Sequence, residues 1–469
     1  MLLPRLRAVG RSLASSVSSR RTVWTTSTLV SSSPSSLVSQ LLKQSPVPPT
    51  ATATVYALSK NTPQSLVPYV QAALPREAVG VLSEPLPAPL VSSTSSTPSP
   101  AAEDELFFLA VASFVPHSST SSSTVHAIPF RSTLTGRPNI SLGREHKLQP
   151  DHNEGDAGFE AFLRGEKWEF GQSKAEQGEA DGLEELTLAG VRSEDVREIV
   201  CFTADRQGPF LSALSSYRNA SIAGLVGSST PFHSPTGSAF SLFPAASREA
   251  VETGAVGVAI VSSARSEVEQ TPAKVEYGGL EPLGKPMEVT SARGNIVLLL
   301  SAQNAARTLL NEVNTFFGTH GESLSAVQRS EEKDKEFYAA VFEREPEAPL
   351  DLSKARLVAR IMAGDPSRGA MSVETEEEVR EGSWLVFLHR PSTASPSLPS
   401  PSSSPSLTFL TLPPSYTPPH LEPTTCPTTG KVKVLEGVFL AGSENGVVHG
   451  TEDGRARVCA IEGVSVQLG

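Results

Sequence analysis

The chain has 469 residues, of which 38% are hydrophobic and 6% aromatic, and its 38 prolines cluster with serine in a few stretches. At ~150 residues per domain, this length and this uneven composition predict two domains with disordered segments. No apolar run approaches the ~18–20 residues that a membrane-spanning helix needs, so we expect no membrane span. The formal net charge of −11 argues against a nucleic-acid-binding protein that works through a global positive field. The three scattered cysteines argue against a disulfide framework and a structural zinc site.

Residues 1–45 have the composition of a mitochondrial transit peptide followed by a Ser-rich tail. The first acidic residue is Glu77, and the apolar residues nearest the N-terminus share one helical face, with Arg7 and Arg11 opposite. The Arg20-Arg21 pair marks the predicted cleavage neighbourhood. We therefore predict a location in the mitochondrial matrix. The alternative is a disordered tail without a targeting role.

From residue 51 onward, short apolar runs predict strands and helical spacing predicts helices. Residues 51–270, the first predicted domain, contain two blocks with the same order of elements. In the first block a strand, a helix and two strands are predicted at 55–58, 64–74, 79–83 and 106–115. In the second block they are predicted at 198–203, 210–217 and 221–228, followed by a hairpin-like pair at 238–243 and 254–261. The shared order predicts a repeated supersecondary unit.

Residues 271–469 are predicted to form the second domain. It opens with a buried strand at 295–300 and a helix at 302–317, which Ser301 is expected to cap because a serine side chain accepts a hydrogen bond from the first helical turn. Further strands are predicted at 355–362, 383–389, 437–441 and 464–468.

Four stretches have too little apolar surface to pack, and we predict that they are disordered insertions: residues 85–103, 116–124, 145–182 and 391–427. The predicted fold class is therefore α/β in the mixed α+β sense. Two repeated strand-helix-strand sheet units are followed by a C-terminal α/β part, with long Ser/Pro insertions between the elements.

The usual catalytic patterns are not met. A near match to a phosphate-binding loop at residues 279–286 has Pro286 where a Ser or Thr should bind magnesium. The sequence has no dinucleotide-binding glycine fingerprint, no nucleophile elbow and no paired zinc-binding histidines. We therefore predict no catalytic residues, no metal and no cofactor.

One glycine- and serine-rich segment stands out as a candidate ligand-binding site. In Gly224-Leu-Val-Gly-Ser-Ser-Thr230, an apolar strand ends in small residues and hydroxyls, where a ligand can approach the backbone closely. The candidate residues are Gly224, Gly227, Ser228 and Ser229. The alternative is that both glycines merely permit a tight turn under a packed sheet.

A second candidate lies in the turn Gly364-Asp-Pro-Ser-Arg-Gly369. Its Asp365 and Arg368 could grip an amino-acid-like zwitterion, because guanidinium pairs with carboxylate in a bidentate fork. The alternative is an ordinary polar β-turn with proline at its second position.

The chain also resembles the FIST domain, with both its N-terminal and its C-terminal part. The matching segments are Leu74-Pro-Arg-Glu-Ala-Val-Gly-Val-Leu-Ser83, Ile222-Ala-Gly-Leu-Val-Gly227, Glu252-Thr-Gly-Ala-Val-Gly-Val-Ala-Ile260, Gly284-Lys-Pro-Met-Glu-Val-Thr-Ser-Ala-Arg-Gly-Asn295 and Arg360-Ile-Met-Ala-Gly-Asp-Pro-Ser-Arg-Gly-Ala-Met-Ser-Val373. Their order over residues 51–469 carries the resemblance. It implies a FIST N-terminal domain at 51–270 and a FIST C-terminal domain at 271–469.

The resemblance implies a sensory module that binds small molecules, with amino acids as one ligand class. Some members carry an F-box for ubiquitin-ligase assembly, but residues 1–50 look like a transit peptide instead. Our leading hypothesis is a non-catalytic small-molecule sensor, with a small-molecule ligand and protein partners in signal transduction.

Two alternatives stay open. One is a small-molecule hydrolase that uses Ser228 or Ser229 with His233 as the base and Asp365 as the acid, because a nucleophile needs a base within hydrogen-bond reach. The other is a protein-interaction scaffold whose Ser/Pro-rich insertions bind partners.

Overall fold

The computed structural model describes residues 23–43, 45–87, 106–116, 125–136, 191–230, 232–233, 239–247, 249–262, 273–319, 336–364, 369–375, 377–391, 405–414, 431–451 and 454–469. Within these ranges the chain is a mixed α/β protein that consists mostly of sheet. Its helices are α1 (Pro34–Lys43), α2 (Val67–Ala73), α3 (Gly208–Leu214) and α4 (Ala305–Thr319). No helix in the described ranges combines the length and the apolar character that a membrane span needs.

The first sheet has six strands. In spatial order they are β19 (Lys433–Glu436), β1 (Val23–Ser31), β4 (Phe107–Val115), β2 (Ala53–Ser59), β3 (Ala78–Ser83) and β8 (Leu242–Phe243). Strands β2 and β3 are parallel and joined through α2, whose Pro68 lies in the first turn, where a helix tolerates a missing N–H. Strand β4 runs antiparallel to both β1 and β2.

The second sheet also has six strands. In spatial order they are β22 (Ala456–Cys459), β21 (Val447–Gly450), β7 (Ser221–Val226), β6 (Val196–Thr203), β9 (Ala255–Ser262) and β5 (Val125–Ser132). Four of these strands, β5-β9-β6-β7, repeat the pairing of β1-β4-β2-β3, with two antiparallel pairs followed by one parallel pair. Helix α3 joins β6 to β7 as α2 joins β2 to β3.

Two further sheets complete the described fold. The third contains β10 (Lys274–Tyr277), β23 (Val464–Leu468), β18 (Ser406–Thr411) and β20 (Val438–Ser443), with β18 parallel to β20. The fourth contains β11 (Glu281–Arg293), β17 (Trp384–His389), β14 (Phe337–Phe342), β15 (Leu357–Gly364), β16 (Met371–Val373), β12 (Ile296–Leu300) and β13 (Gln303–Asn304). Short 3₁₀ turns lie at Gln64–Leu66, Ser193–Asp195 and Leu352–Lys354.

The first sheet is buried on both faces, because successive side chains along its strands point alternately into two different apolar cores. In β2, Val55 faces a large core to which all four sheets contribute, whereas Tyr56 and Leu58 face helices α1 and α2. A strand covered on both sides is apolar at nearly every position, which is why these strands are continuous apolar runs in the sequence. The other face of the fourth sheet forms a second core, and α4 packs against it.

The prediction of an N-terminal tail that reaches residue 45 is wrong for residues 23–43. They form β1 and α1, and β1 is hydrogen-bonded between β4 and β19. Trp24 and Val30 are buried, and the Ser and Thr residues between them gave β1 the composition of a tail. Residues 23–43 are therefore part of the folded protein. Residues 1–22 lie outside the described ranges.

The predicted insertion at 391–427 is also wrong in part, because β18 lies inside it. Leu407, Phe409 and Leu410 are buried there, and the surrounding prolines and serines concealed a six-residue strand. The rest of that stretch between 392 and 404 and from 415 lies outside the described residues, as do 88–103, 117–124 and 145–182.

Two local predictions also differ from the structure. Helix α4 begins at Ala305, and Asn304 caps it by accepting a hydrogen bond from the Arg307 amide at 2.9 Å, whereas Ser301 lies in a preceding turn with φ of +47°. The pair predicted as hairpin-like is divided between sheets, because β8 pairs with β3 and β9 pairs with β5 and β6.

The boundary predicted at residue 270 does not separate the sheets. The segment 431–469 supplies β19 to the first sheet, β21 and β22 to the second, and β20 and β23 to the third. The first two sheets therefore contain strands from both predicted domains, whereas all four strands of the third sheet come from the second.

Candidate functional site

The carboxyl ends of β3, β7 and β20 meet at one place. The Ser228 amide, just after β7, donates to the Leu82 carbonyl of β3 at 3.1 Å. The Glu84 amide, just after β3, donates to the Gly442 carbonyl of β20 at 2.8 Å. Each of these strands belongs to a parallel pair, and ligands in open α/β sheets bind outside the carboxyl ends of such strands.

Three charged side chains converge there with two serines, and we call Lys60, Glu84, Glu444, Ser228 and Ser229 the Lys60 cluster. Lys60 Nζ donates to Glu84 Oε1, and the two side chains are 6% and 0% exposed. The Glu84 carboxyl group is also hydrogen-bonded to Glu444, which is half-buried. The cluster is therefore closed around Glu84 and reaches solvent at Glu444.

Burial raises the pKa of Glu444, but its hydrogen bonds to Glu84 and to the Ser229 amide, together with the charge of Lys60, outweigh burial and leave that pKa below its usual range. The Ser229 amide donates to Glu444 Oε1 at 2.7 Å.

Ser228 contributes a buried hydroxyl that makes no hydrogen bond among the described residues. The residue is 0% exposed, and Thr203, at the end of the neighbouring strand β6, has the same kind of unpaired hydroxyl. A buried polar group without a partner costs about 1–3 kcal/mol. Such a group needs an explanation, and a site that receives a polar ligand is one.

The two candidate glycines have packing explanations. A Cβ on Gly224 would lie 1.9 Å from the Cys201 carbonyl oxygen of the paired strand β6, so this position is restricted to glycine by strand packing. A Cβ on Gly227 would lie 3.1 Å from Val81 Cγ2, a side-chain methyl group that can shift. Of the four candidates in this segment, only Ser228 and Ser229 contribute polar groups to the Lys60 cluster.

His233 does not pair with the candidate serines. Its Nε2 donates to the Lys60 carbonyl at 2.9 Å, and burial lowers its pKa. No hydrogen bond among the described residues joins its ring to Ser228 or Ser229, so the base that the hydrolase alternative requires is not in place. Asp365 and Arg368 lie outside the described residues, and their pairing stays a prediction.

Lys60, Glu84 and Glu444 were not predicted from the sequence. Each of them directly follows the last residue of a buried strand, namely β2, β3 and β20. A charged residue at that position is the signal that could have identified them, because the carboxyl ends of strands gather at sheet edges.

Comparisons add no family assignment. A scan against protein-family models and a search of curated proteins each gave no match. The fold and the cluster therefore define a class only: a mixed α/β protein, mostly sheet, with buried charges at the carboxyl ends of its strands. Among the described residues no three His, Cys, Asp or Glu side chains are arranged to hold a metal ion.

Proposed function

We propose that this protein is a non-catalytic binding protein for a small molecule, and that the Lys60 cluster binds an amino acid. The observation that carries the proposal is the convergence of buried opposite charges with the unpaired Ser228 hydroxyl. The ligand ammonium group is complementary to Glu444 and Glu84. The ligand carboxylate is complementary to Lys60, with the Ser228 hydroxyl as a further donor.

The charges support a binding role because they are a poor way to stabilise a fold. Removing two ions from water costs several kcal/mol each, and apolar side chains of similar volume often stabilise a core better than a buried ion pair. Lys60 and Glu84 nevertheless lie among the apolar strand ends of the first sheet. The lowered pKa of Glu444, which contacts this pair, is a further mark of a candidate functional site.

We further propose that the protein is of the FIST type, located in mitochondria, and built on one repeated sheet unit. The identical pairing of β1-β4-β2-β3 and β5-β9-β6-β7 supports the repeat. The start of β1 at Val23 supports the mitochondrial location, since cleavage of a transit peptide after Arg21 would leave the described fold intact. The scaffold alternative rests on insertions that are mostly outside the described residues, and no described contact favours it.

Isothermal calorimetry of the full chain against the standard amino acids tests the binding proposal. At a hundred times its dissociation constant a ligand adds about 2.7 kcal/mol of stability, so thermal unfolding provides a second readout. Glu444→Gln should weaken binding at least about tenfold, because an amide cannot supply the charge that the ligand ammonium pairs with. Glu347→Gln, an exposed matched change, should leave it unaltered. No saturable binding by any amino acid, or unchanged binding in Glu444→Gln, would overturn the proposal.

A further inference from the structure

A second polar site is a cavity of about 320 Å³ that shares no residue with the Lys60 cluster. On one side lie Arg218, after α3, and Arg455, in the turn between β21 and β22. On the other side lie Arg356 and Arg380, which precede β15 and β17 of the fourth sheet. The cavity therefore lies between the second and the fourth sheet.

The lining is positive over the part of the chain that the structure describes, because four arginines face the cavity and Glu343 is the one carboxylate among these lining residues. No ion pair recorded for the described residues involves Arg218 or Arg380. Since guanidinium stays protonated in proteins, the positive charge persists at every physiological pH.

Glu377, a carboxylate beside the lining residue Arg356, is already engaged. Arg457 binds it through two guanidinium nitrogens, one of them 3.1 Å from Oε2, and Arg356 Nη2 lies 3.6 Å from the same oxygen. Glu377 is thus shared between two arginines.

Arg356 differs from an ordinary surface arginine, because its side chain is buried and one of its donors is unused. Its side chain is only 8% exposed, and its Nε has no hydrogen-bond partner among the described residues. Burial and the charges of Arg380 and Arg457 lower its pKa, despite the opposing charge of Glu377. A buried cation with an unused donor costs stability, which an anion placed beside it would recover.

We propose that this cavity binds a small multivalent anion through phosphate or carboxylate groups. Arginine forks match both groups in bidentate geometry, and they are the usual residue for recognising them. The volume is near the lower end of the ~300–1,000 Å³ range of ligand pockets, which favours a compact metabolite over a nucleotide or a peptide. The proposal does not depend on amino-acid binding at the Lys60 cluster.

The test is calorimetry of the full chain with inorganic phosphate, with citrate and with succinate. Saturable binding of phosphate alone identifies a phosphoryl ligand, and preference for citrate identifies a polycarboxylate. The affinity should fall as salt concentration rises, because the attraction is between charges at a partly open site. No saturable binding of any of the three anions would overturn the proposal.

Variants place the binding in the cavity. Arg218→Gln with Arg380→Gln, both exposed positions, should weaken anion binding at least about tenfold, whereas Glu343→Gln should strengthen it by removing a repelling charge. Arg344→Gln, an exposed change outside the cavity lining, should have no effect. If the arginines had a merely structural role, the arginine changes and Glu343→Gln would not shift the anion affinity in opposite directions. Anion binding that survives the double arginine change would refute the site, and its retention in Glu444→Gln keeps this result separate from the amino-acid proposal.

Discussion

Replacement of Lys60 by methionine tests the physical reading of the Lys60 cluster most directly. Methionine fills a similar volume but leaves Glu84, whose side chain is 0% exposed, without its counter-charge. Removing one partner of a buried ion pair costs about 3–5 kcal/mol, because the other charge remains buried and uncompensated. We expect a loss of that size in the free energy of unfolding at neutral pH.

A second change should restore much of this loss. In the Lys60→Met, Glu84→Gln double variant the buried charge is gone and an amide can still bond to Glu444. We therefore expect the losses of unfolding free energy in Lys60→Met and in Glu84→Gln to add up to more than the loss in the double variant. The difference is the coupling free energy, which should be about 0.5–3 kcal/mol. Lys285→Met is the matched control, because this exposed lysine should change stability by no more than about 0.5 kcal/mol.

The loss should also depend on pH. The depressed pKa of Glu444 means that its ionised form stabilises the native state above its unfolded pKa, and that this contribution disappears as the pH falls through the native pKa. Lys60 supplies part of that depression, so the penalty of Lys60→Met should be greatest at neutral pH and should shrink toward pH 4. Urea unfolding followed by circular dichroism measures both effects. A loss below about 1 kcal/mol at neutral pH, or one that is independent of pH, would refute the reasoning.

Three further predictions follow from packing and titration. Gly224→Ala should cost more than about 3 kcal/mol, because its Cβ would meet a backbone carbonyl, whereas Gly227→Ala should cost less because a methyl group can move; equal urea midpoints would contradict this. Removal of residues 1–21 should preserve the circular dichroism spectrum and cooperative melting, whereas removal of 1–43 should abolish them, since β1 is a paired strand. Burial, reinforced by Arg457, lowers the pKa of His449 to about 4, so the unfolded chain binds the extra proton first and stability falls as the pH drops from ~6.5 toward 4. His449→Gln should reduce that slope by about 1.4 kcal/mol per pH unit, and an unchanged slope in urea titrations would count against it.

Much of the strand content was predictable because it depends on local patterns. Strands β2, β3, β6, β7 and β9 are apolar runs bounded by turn residues, and a run covered on both faces is visible in sequence. Strands β1 and β18 were missed because Ser, Thr and Pro dominate their surroundings. Their burial comes from partners far along the chain, which no local window contains.

The candidate site was predictable only in part, for a related reason. Ser228 and Ser229 were identified from their own segment, but Lys60, Glu84 and Glu444 come from three different strand ends. Only the pairing of β3 with β7 and β20 through their terminal amides brings these charges together. The arginine cavity is likewise invisible in sequence, because its residues come from widely separated loops of two sheets.

The distribution of the last strands over three sheets has a consequence for synthesis of the protein. The Thr28 hydroxyl donates to the Val438 carbonyl, 410 positions further along the chain, and β19 and β21 cover the edges of β1 and β7. While the ribosome is still translating, both edges stay open, and unpaired edges promote aggregation. A nascent chain that stops before Lys433 lacks the strands that close them. We expect the protein to need chaperone protection until β19 and β21 have been synthesised, and a stop codon before Lys433 to yield insoluble product.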